Sequence, residues 1–195
     1  MSDDKKIHIV EAQFNDVVAK YKHLELSRNS DGRFVISGNL IFTAGYNGED
    51  VSDTFEIEIE IPRNYPAQIP KTKEAGGRIP SDFHTNQDGT LCLNIPLGSK
   101  RTFAQNGTLL GYVDDCVIPY LYSFCYHQVH GKMPFGEWAH GGQGILDFYK
   151  EEFAVDDDIA VLGLLRVLAD NNYRGHIPCP CGSQLKLRKL SLIHI

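Results

Sequence analysis

The strongest constraint on the fold is a strictly alternating segment at residues 55–61. An apolar side chain stands at each odd position and a glutamate at each even position. A period of two is typical of a strand with one buried and one solvated face, so the glutamates predict an acidic stripe facing water. Residues 24–26 and 34–42 alternate in the same way, with turn signals at 29–32 and 46–48. The pattern predicts an antiparallel meander of at least three strands.

Helices are predicted before and after this meander. Residues 8–22 have the spacing of an amphipathic helix, and residues 71–74 are expected to add a short fourth strand. Residues 76–101 predict an ordered but irregular loop, and a loop this long inside a compact domain is usually functional. Residues 108–128 return to helical spacing, with a kink or a late start expected at Pro119.

Two shorter helices are predicted near the C-terminus. The first covers residues 145–153. Residues 156–158 are three aspartates, which supply an N-cap and an acidic first turn for the last helix. The predicted core face of that helix consists of Ile159, Leu162, Leu165 and Leu168.

Composition excludes several classes of protein. The 195 residues contain 19 Lys and Arg against 25 Asp and Glu, a net charge of −6, so affinity for nucleic acid through net charge is not expected. No apolar run approaches the roughly 18 residues of a membrane span, and the start lacks a signal-peptide pattern. The five cysteines do not resemble a secreted disulfide framework. We therefore expect a cytoplasmic protein with neither a membrane nor a nucleic-acid partner.

The segment whose side chains could take part in a reaction is His-Thr-Asn-Gln-Asp-Gly-Thr-Leu-Cys-Leu-Asn at residues 84–94. Cys92 lies in the predicted loop, where a thiolate is a strong nucleophile, and Asn86 can donate a hydrogen bond to an oxyanion. The alternative is that Cys92 is a small buried hydrophobe between two leucines. Asp88 is interpreted as a turn residue before a glycine, with orientation of an incoming lysine as the alternative.

The order of elements and motifs over residues 8–155 resembles the ubiquitin-conjugating enzyme family. The order is helix, meander, Tyr-Pro-x-x-x-Pro, then His-x-Asn followed by Gly-x-Leu-Cys-Leu. The matching positions are Tyr65, Pro66, Pro70, His84, Asn86, Gly89, Leu91, Cys92 and Leu93. The chain departs from the family pattern in two ways. Thr85 replaces a proline, and the spacing from Asn86 to Cys92 is two residues shorter.

The resemblance implies an α+β fold of the UBC type for residues 1–155: an N-terminal helix, a four-stranded antiparallel meander, a catalytic loop and C-terminal helices. It implies that Cys92, with His84 and Asn86, forms the catalytic site and that Cys92 holds a modifier as a thioester. We interpret His84 as fixing the loop by hydrogen bonds in preference to acting as a general base. No cofactor is implied for the transfer step.

The implied partners are proteins. They are an activating (adenylating) enzyme, a modifier or other protein C-terminus, and a target protein that supplies an amine. The activating enzyme is expected to be separate, because the sequence contains no Gly-rich phosphate loop. The alternatives are a non-catalytic binding module of the same fold with a structural Cys92, and a scaffold whose C-terminal tail recruits a partner.

Two features resemble the bacterial branch of the family. They are Arg-Ile-Pro at residues 78–80 before the shortened loop, and a helical extension that ends in Cys-Pro-Cys-Gly-Ser. Similar stand-alone enzymes occur in antiphage operons of the cyclic-oligonucleotide (CBASS) type. The resemblance implies that the enzyme couples the C-terminus of a cGAS-like nucleotidyltransferase to a target.

The tail after the conjugating domain divides into three predicted parts. Residues 156–175 are a C-terminal helical extension. Residues 176–189 resemble an incomplete SEC-C zinc motif, in which Cys179 and Cys181 are two of four expected ligands. The third ligand would fall at position 190, which is leucine here. We hypothesise that residues 190–195 are a translated sequencing adapter and that the native chain continues with a cysteine.

Other cysteines and histidines receive structural interpretations. Cys116 and Cys125 lie on the apolar face of a predicted helix and are assigned to core packing. His127 and His130 are interpreted as surface or capping residues, with a metal pair as the alternative. His140 is kept as a residue that supports the cysteine loop from outside it.

Overall fold

The computed structural model describes residues 3–94, 96–135, 142–170 and 175–189. The chain divides into two compact units, residues 1–136 and residues 137–195. This division groups the helix after residue 141 with the second unit, whereas the sequence analysis assigned residues up to 155 to the conjugating domain. The functional assignment of those segments stays a prediction.

The first unit begins with helix α1 (Asp3–Lys20), which leads directly into the meander. Its strands are β1 (Leu24–Arg28), β2 (Phe34–Tyr46), β3 (Glu49–Glu60) and β4 (Lys71–Glu74). They form one four-stranded sheet in the order β1-β2-β3-β4, and every neighbouring pair is antiparallel. The α+β class and the antiparallel meander are thereby confirmed, including the short fourth strand.

The alternation that predicted β3 decides which sheet face forms the core. Phe55, Ile57 and Ile59 have no exposed surface, while Glu56 and Glu58 are exposed. The register places Leu40 opposite Phe55, so the two strands contribute to the same apolar layer. Residues of α1 and of the helices after the loop complete this layer. They include Val10, Val17, Val113, Val117 and Leu121.

Helix α2 (Pro96–Gln105) corrects the prediction of an irregular loop over residues 76–101. Proline is well suited to the first turn of a helix, and no further proline interrupts the segment. Glycine disfavours a helix, so Gly98 is an unfavourable residue in this segment. Glycine is nevertheless required at this position, because a Cβ would stand 2.8 Å from the side chain of Asn94. A larger residue would therefore disturb the junction between the cysteine loop and α2.

The predicted kink near Pro119 takes the form of a widened turn. Helix α3 (Leu109–Tyr112) passes through a π-helical turn at Val113–Val117 into α4 (Ile118–His130). Pro119 lies in the first turn of α4. Because proline has no backbone N–H, the regular ladder cannot run through this position, and the irregular turn accommodates the missing donor.

The second unit contains helix α5 (Gly142–Phe153), helix α6 (Asp158–Ala169) and a hairpin over residues 177–187. A short 3-10 turn, Leu187–Lys189, follows the hairpin. The buried residues of this unit include Phe153, Val161, Leu164, Cys179 and Leu187. The second unit therefore has a small core of its own, shared by the two helices and the hairpin.

Helix α6 confirms one sequence prediction and contradicts another. Asp157 caps the helix by accepting a hydrogen bond from the backbone N–H of Ala160 at 2.8 Å. The predicted core face is wrong for Ile159, Leu162 and Leu168, which are 78%, 53% and 46% exposed, whereas Leu165 packs against the core. The fully buried residues are Val161 and Leu164, which pack with Phe153 and with Cys179 and Leu187 of the hairpin.

Among the described residues, no helix is long and apolar enough to cross a membrane.

Candidate functional site

A short hairpin that leads to Cys92 is held to the sheet by backbone hydrogen bonds. Thr85 and Leu91 form an antiparallel bridge, and the Asn86 N–H donates to the Thr90 carbonyl at 2.8 Å. The Leu91 N–H donates to the carbonyl of Thr72 in β4, also at 2.8 Å. The shortened loop is therefore an ordered extension of the sheet edge.

Cys92 lies directly after this hairpin and is exposed. Its backbone N–H donates to the carbonyl of His84 at 2.7 Å, and its Sγ faces the carbonyl of Asn94 at 3.9 Å. Although the residue is exposed, its thiol is partly withdrawn from water, and this burial raises the pKa of Cys92. The exposure agrees with a reactive site, whereas burial does not lower the pKa of this thiol as activation of a cysteine nucleophile usually does.

His84 contributes its backbone to the loop. It adopts a left-handed conformation with φ of +39°, which is uncommon for a residue other than glycine. Its carbonyl accepts the Cys92 N–H and lies 3.3 Å from the hydroxyl of Tyr120. The imidazole ring packs edge-on against Phe83 at 5.1 Å. His84 thus fixes the backbone on which Cys92 is mounted.

The side chain of Asn86 is engaged within the hairpin. Its Nδ2 donates to Thr90 Oγ1 at 3.0 Å and faces the carbonyl of Leu91 at 3.5 Å. These contacts make Asn86 a stabilising residue of the turn. An oxyanion role for Asn86 stays a prediction, and it would require the amide to exchange one of these partners for the substrate.

Asp88 forms the turn that precedes Cys92. Its carboxylate accepts hydrogen bonds from the Thr90 N–H at 3.1 Å and from the Thr90 hydroxyl at 2.5 Å. Lys71 of β4 forms an ion pair with it at 2.8 Å. These partners, Lys71 first, hold the pKa of Asp88 far below its usual range. These contacts agree with the interpretation of Asp88 as a turn residue.

An aromatic cluster lies beneath the loop. The Phe83 ring contacts Phe124 at 5.0 Å, His127 at 5.3 Å and Tyr120 at 6.0 Å, all on α4. Nδ1 of His127 is buried and has no hydrogen-bond partner in the part of the chain that the structure describes. By contrast, Nε2 of His130 lies 2.9 Å from a carboxylate oxygen of Glu49. Neither histidine belongs to a metal cluster of described residues.

A second polar cluster fixes the segment that precedes the loop. The guanidinium of Arg78 binds both carboxylate oxygens of Asp53, at 2.8 and 2.9 Å, and lies 4.1 Å from the centre of the Phe55 ring. The Cys125 thiol donates to the same carboxylate at 3.3 Å. Burial, together with this carboxylate, raises the pKa of Cys125 to about 12. The raised pKa disfavours the thiolate form of Cys125, and Cys116 is buried in the core.

Cys179 and Cys181 lie in the hairpin of the second unit. The Cys181 N–H donates to Cys179 Sγ at 3.3 Å, and the Cys179 N–H donates to the Leu185 carbonyl at 2.8 Å. Burial raises the pKa of Cys179, whereas hydrogen bonding with Cys179 and Ser183 lowers the pKa of Cys181. A tetrahedral zinc site needs four ligands. The described residues bring no third ligand to this pair and so do not fit zinc by themselves.

Two sequence hypotheses fall outside the described residues. His140 belongs to the segment 136–141, and the proposed adapter translation occupies residues 190–195. Both stay predictions.

Tyr120 is the residue that sequence reasoning missed. Its helical spacing indicated core packing, and no local signal shows that its hydroxyl reaches the cysteine loop some thirty-five residues earlier.

Comparison with known proteins places few constraints on the chain. No family model and no curated protein matches it. Among solved structures, it is similar to the UEV domain of yeast vps23 in complex with a vps27 PSDP peptide, at 15% identity and a TM-score of 0.39. The likeness covers 58% of this chain and 79% of that chain. A TM-score of this size does not establish a shared family.

Proposed function

We propose that this chain holds a protein C-terminus as a thioester on Cys92 and transfers it to an amine. The observation that carries the proposal is an exposed thiol on an ordered loop, fixed by backbone hydrogen bonds to β4 and to His84. In the loading step, Cys92 Sγ attacks the carbonyl of a thioester on a partner, and the partner thiol leaves with a proton. In the second step, an amine attacks, an amide forms, and the Cys92 thiol is released.

The scaffold supports this proposal through the order of its elements. A helix, a four-stranded antiparallel meander, the cysteine loop and then helices follow one another as in the ubiquitin-conjugating enzymes that the motifs resemble. The Tyr-Pro-x-x-x-Pro segment also has a structural role, because the fully buried Tyr65 donates its hydroxyl to Gln13 of α1. That bond ties the exit of the sheet to the first helix.

The proposal extends to partners and context. An activating enzyme would deliver the acyl group, a protein such as a cGAS-like nucleotidyltransferase would supply the C-terminus, and antiphage defence in the bacterial cytoplasm would be the setting. Zinc is proposed only for a native continuation of the Cys179–Cys181 hairpin that supplies the missing ligands. It has no part in the transfer step.

A lysine trap tests the proposal directly. Cys92→Lys is expressed with the genomic neighbours, and its intact mass is measured, because a lysine amide persists where a thioester would be lost. The expected result is a stable adduct whose mass identifies the acyl donor. Cys92→Ala removes the nucleophile, and Cys92→Arg keeps the positive charge but forms no amide. An equal adduct on either control variant would refute acyl transfer at Cys92.

A non-catalytic binding module is the second candidate. The raised pKa of Cys92 favours it, because an activated nucleophile usually carries a lowered pKa. This reading expects no adduct on Cys92→Lys when the neighbours are expressed and soluble. It also expects Cys92→Ala to bind its partner as tightly as the wild-type chain.

A further inference from the structure

We infer that Tyr120 is a positioning residue for Cys92, acting through the carbonyl groups of the cysteine loop. This inference rests on the proposed function. The hydroxyl of Tyr120 donates to the Phe83 carbonyl at 3.0 Å and lies 3.3 Å from the His84 carbonyl. The His84 carbonyl also accepts the Cys92 N–H at 2.7 Å. One carbonyl therefore connects the buried helix to the backbone of the reactive cysteine.

The local backbone needs such an external support. His84 has φ of +39°, and a non-glycine residue in this region costs about 1–3 kcal/mol unless its surroundings hold it there. Thr85 follows it, where the resembling family has a proline. A proline would restrict the backbone by its ring. Here Thr85 instead donates its hydroxyl to the Phe83 carbonyl at 2.9 Å. Hydrogen bonds to the Phe83 carbonyl thus restrain the backbone here, where a proline ring would restrain it in the family.

Tyr120 itself is well fixed. The residue is 7% exposed, and its ring packs against Phe83 at 6.0 Å. Burial raises the pKa of Tyr120, so its hydroxyl stays protonated and remains a donor across the physiological range. The helix that carries it packs on the sheet. The hydroxyl therefore has a fixed position from which to hold the loop.

Tyr120→Phe removes this hydroxyl and keeps the ring. Tyr122→Phe is the matched control, because Tyr122 is buried on the same helix and donates to the carbonyl of Glu49 at 3.2 Å, away from the loop. Three quantities are measured on the full chain. They are hydrogen exchange of the Cys92 N–H, alkylation of Cys92 by iodoacetamide against pH, and the rate at which Cys92 takes up the acyl group.

The expected result is a pair of opposite effects in Tyr120→Phe. Exchange of the Cys92 N–H should accelerate roughly five-fold, the factor that loss of one ordinary hydrogen bond produces. Alkylation near pH 7 should also accelerate, because a looser loop exposes the thiol to water and lowers its pKa. Acyl uptake should slow, because the sulfur is no longer held in place. Tyr122→Phe should change none of the three.

Buried Cys116 distinguishes loosening of the loop from global unfolding. Its alkylation should stay slow in both variants, whereas global unfolding would expose it together with Cys92. If Tyr120→Phe and Tyr122→Phe behave alike in all three measurements, the inference is wrong. If the wild-type chain takes up no acyl group, the proposed function fails instead. Exchange and alkylation then decide whether Tyr120 positions the loop.

Discussion

The ion pair between Asp53 and Arg78 allows a quantitative test of the electrostatics near the loop. Asp53→Asn removes the charge and keeps an oxygen that can accept from Arg78 and from the Cys125 thiol. In the wild-type chain, two hydrogen bonds of 2.8 and 2.9 Å join the carboxylate and the guanidinium. The variant therefore tests the contribution of the Asp53 charge while the shape of the side chain is kept.

The expected magnitude follows from the pKa of Asp53. Hydrogen bonds, first that of Arg78 and then those of the Thr54 N–H and the Cys125 thiol, lower that pKa from 3.8 to about 2. Each pKa unit corresponds to about 1.4 kcal/mol, which sets an upper limit of about 2.5 kcal/mol for this carboxylate. The side chains of Asp53 and Arg78 are 30% and 45% exposed, so water screens the pair. We therefore expect Asp53→Asn to lower the free energy of unfolding by about 1 kcal/mol at pH 7.

The pH dependence has a definite sign. The pKa of Asp53 is lower in the folded chain than in the unfolded chain, so its contribution is complete above about pH 4. The contribution decreases as the pH falls from about 4 to about 2, where both states become protonated. The difference between wild type and Asp53→Asn should therefore shrink over this interval.

Urea unfolding measures this difference at neutral pH and at the lowest pH where both chains remain folded. Asp50→Asn is the matched control, because Asp50 lies in the same strand and forms no ion pair among the described residues. A double-mutant cycle with Arg78→Gln gives the coupling energy. A loss that is equal at both pH values, or a coupling energy of zero, would refute this reasoning.

Three further predictions concern single side chains. The raised pKa of Cys92 predicts that its alkylation rate reaches half-maximum at a higher pH than that of an unperturbed thiol, and a lower midpoint would contradict the burial argument. Tyr112→Phe leaves the buried Thr72 hydroxyl without its 2.8 Å partner and should cost about 1–2 kcal/mol in urea unfolding, whereas no loss would show that water replaces the partner. Gly163→Ala places a Cβ 2.5 Å from the Pro180 side chain, so overpacking should outweigh the gain in helix propensity and leave a net loss of about 1 kcal/mol. A higher Tm for Gly163→Ala would show that the hairpin shifts to make room for the added Cβ.

The sheet could be predicted because its signal is local. Period-two alternation over residues 55–61 determines which side chains face the core, and turn residues between the segments determine where the chain reverses. Even the four-residue strand Lys71–Glu74 follows from its place between two proline-containing segments. Each of these features depends on neighbours within a few residues, which a sequence displays directly.

The errors arise where distant contacts decide the structure. Helix α6 is hydrophobic on more than one side, so its pattern fitted two faces, and contacts of Val161 and Leu164 with distant residues such as Phe153 and Leu187 select one. The segment after Cys92 has few helical signals, yet it forms α2. The cysteine itself was found by its motif. The contact between the His84 carbonyl and Tyr120 crosses thirty-six residues of sequence and has no periodic signature.

Under the proposed function, the raised pKa of Cys92 fits a carrier of acyl groups better than a hydrolase. A hydrolase must activate its thiol against an unactivated amide, which requires a base or cation that lowers the pKa. A carrier receives an acyl group that is already a thioester, so a modest thiolate fraction suffices. A thiol of higher pKa is also the more nucleophilic as a thiolate and the poorer leaving group. A thioester on Cys92 would therefore react more slowly with water and with a free amine alike, so transfer would depend on the positioning of the amine. If Cys92 carries an acyl group as proposed, the burial that raises its pKa would lengthen the lifetime of that group.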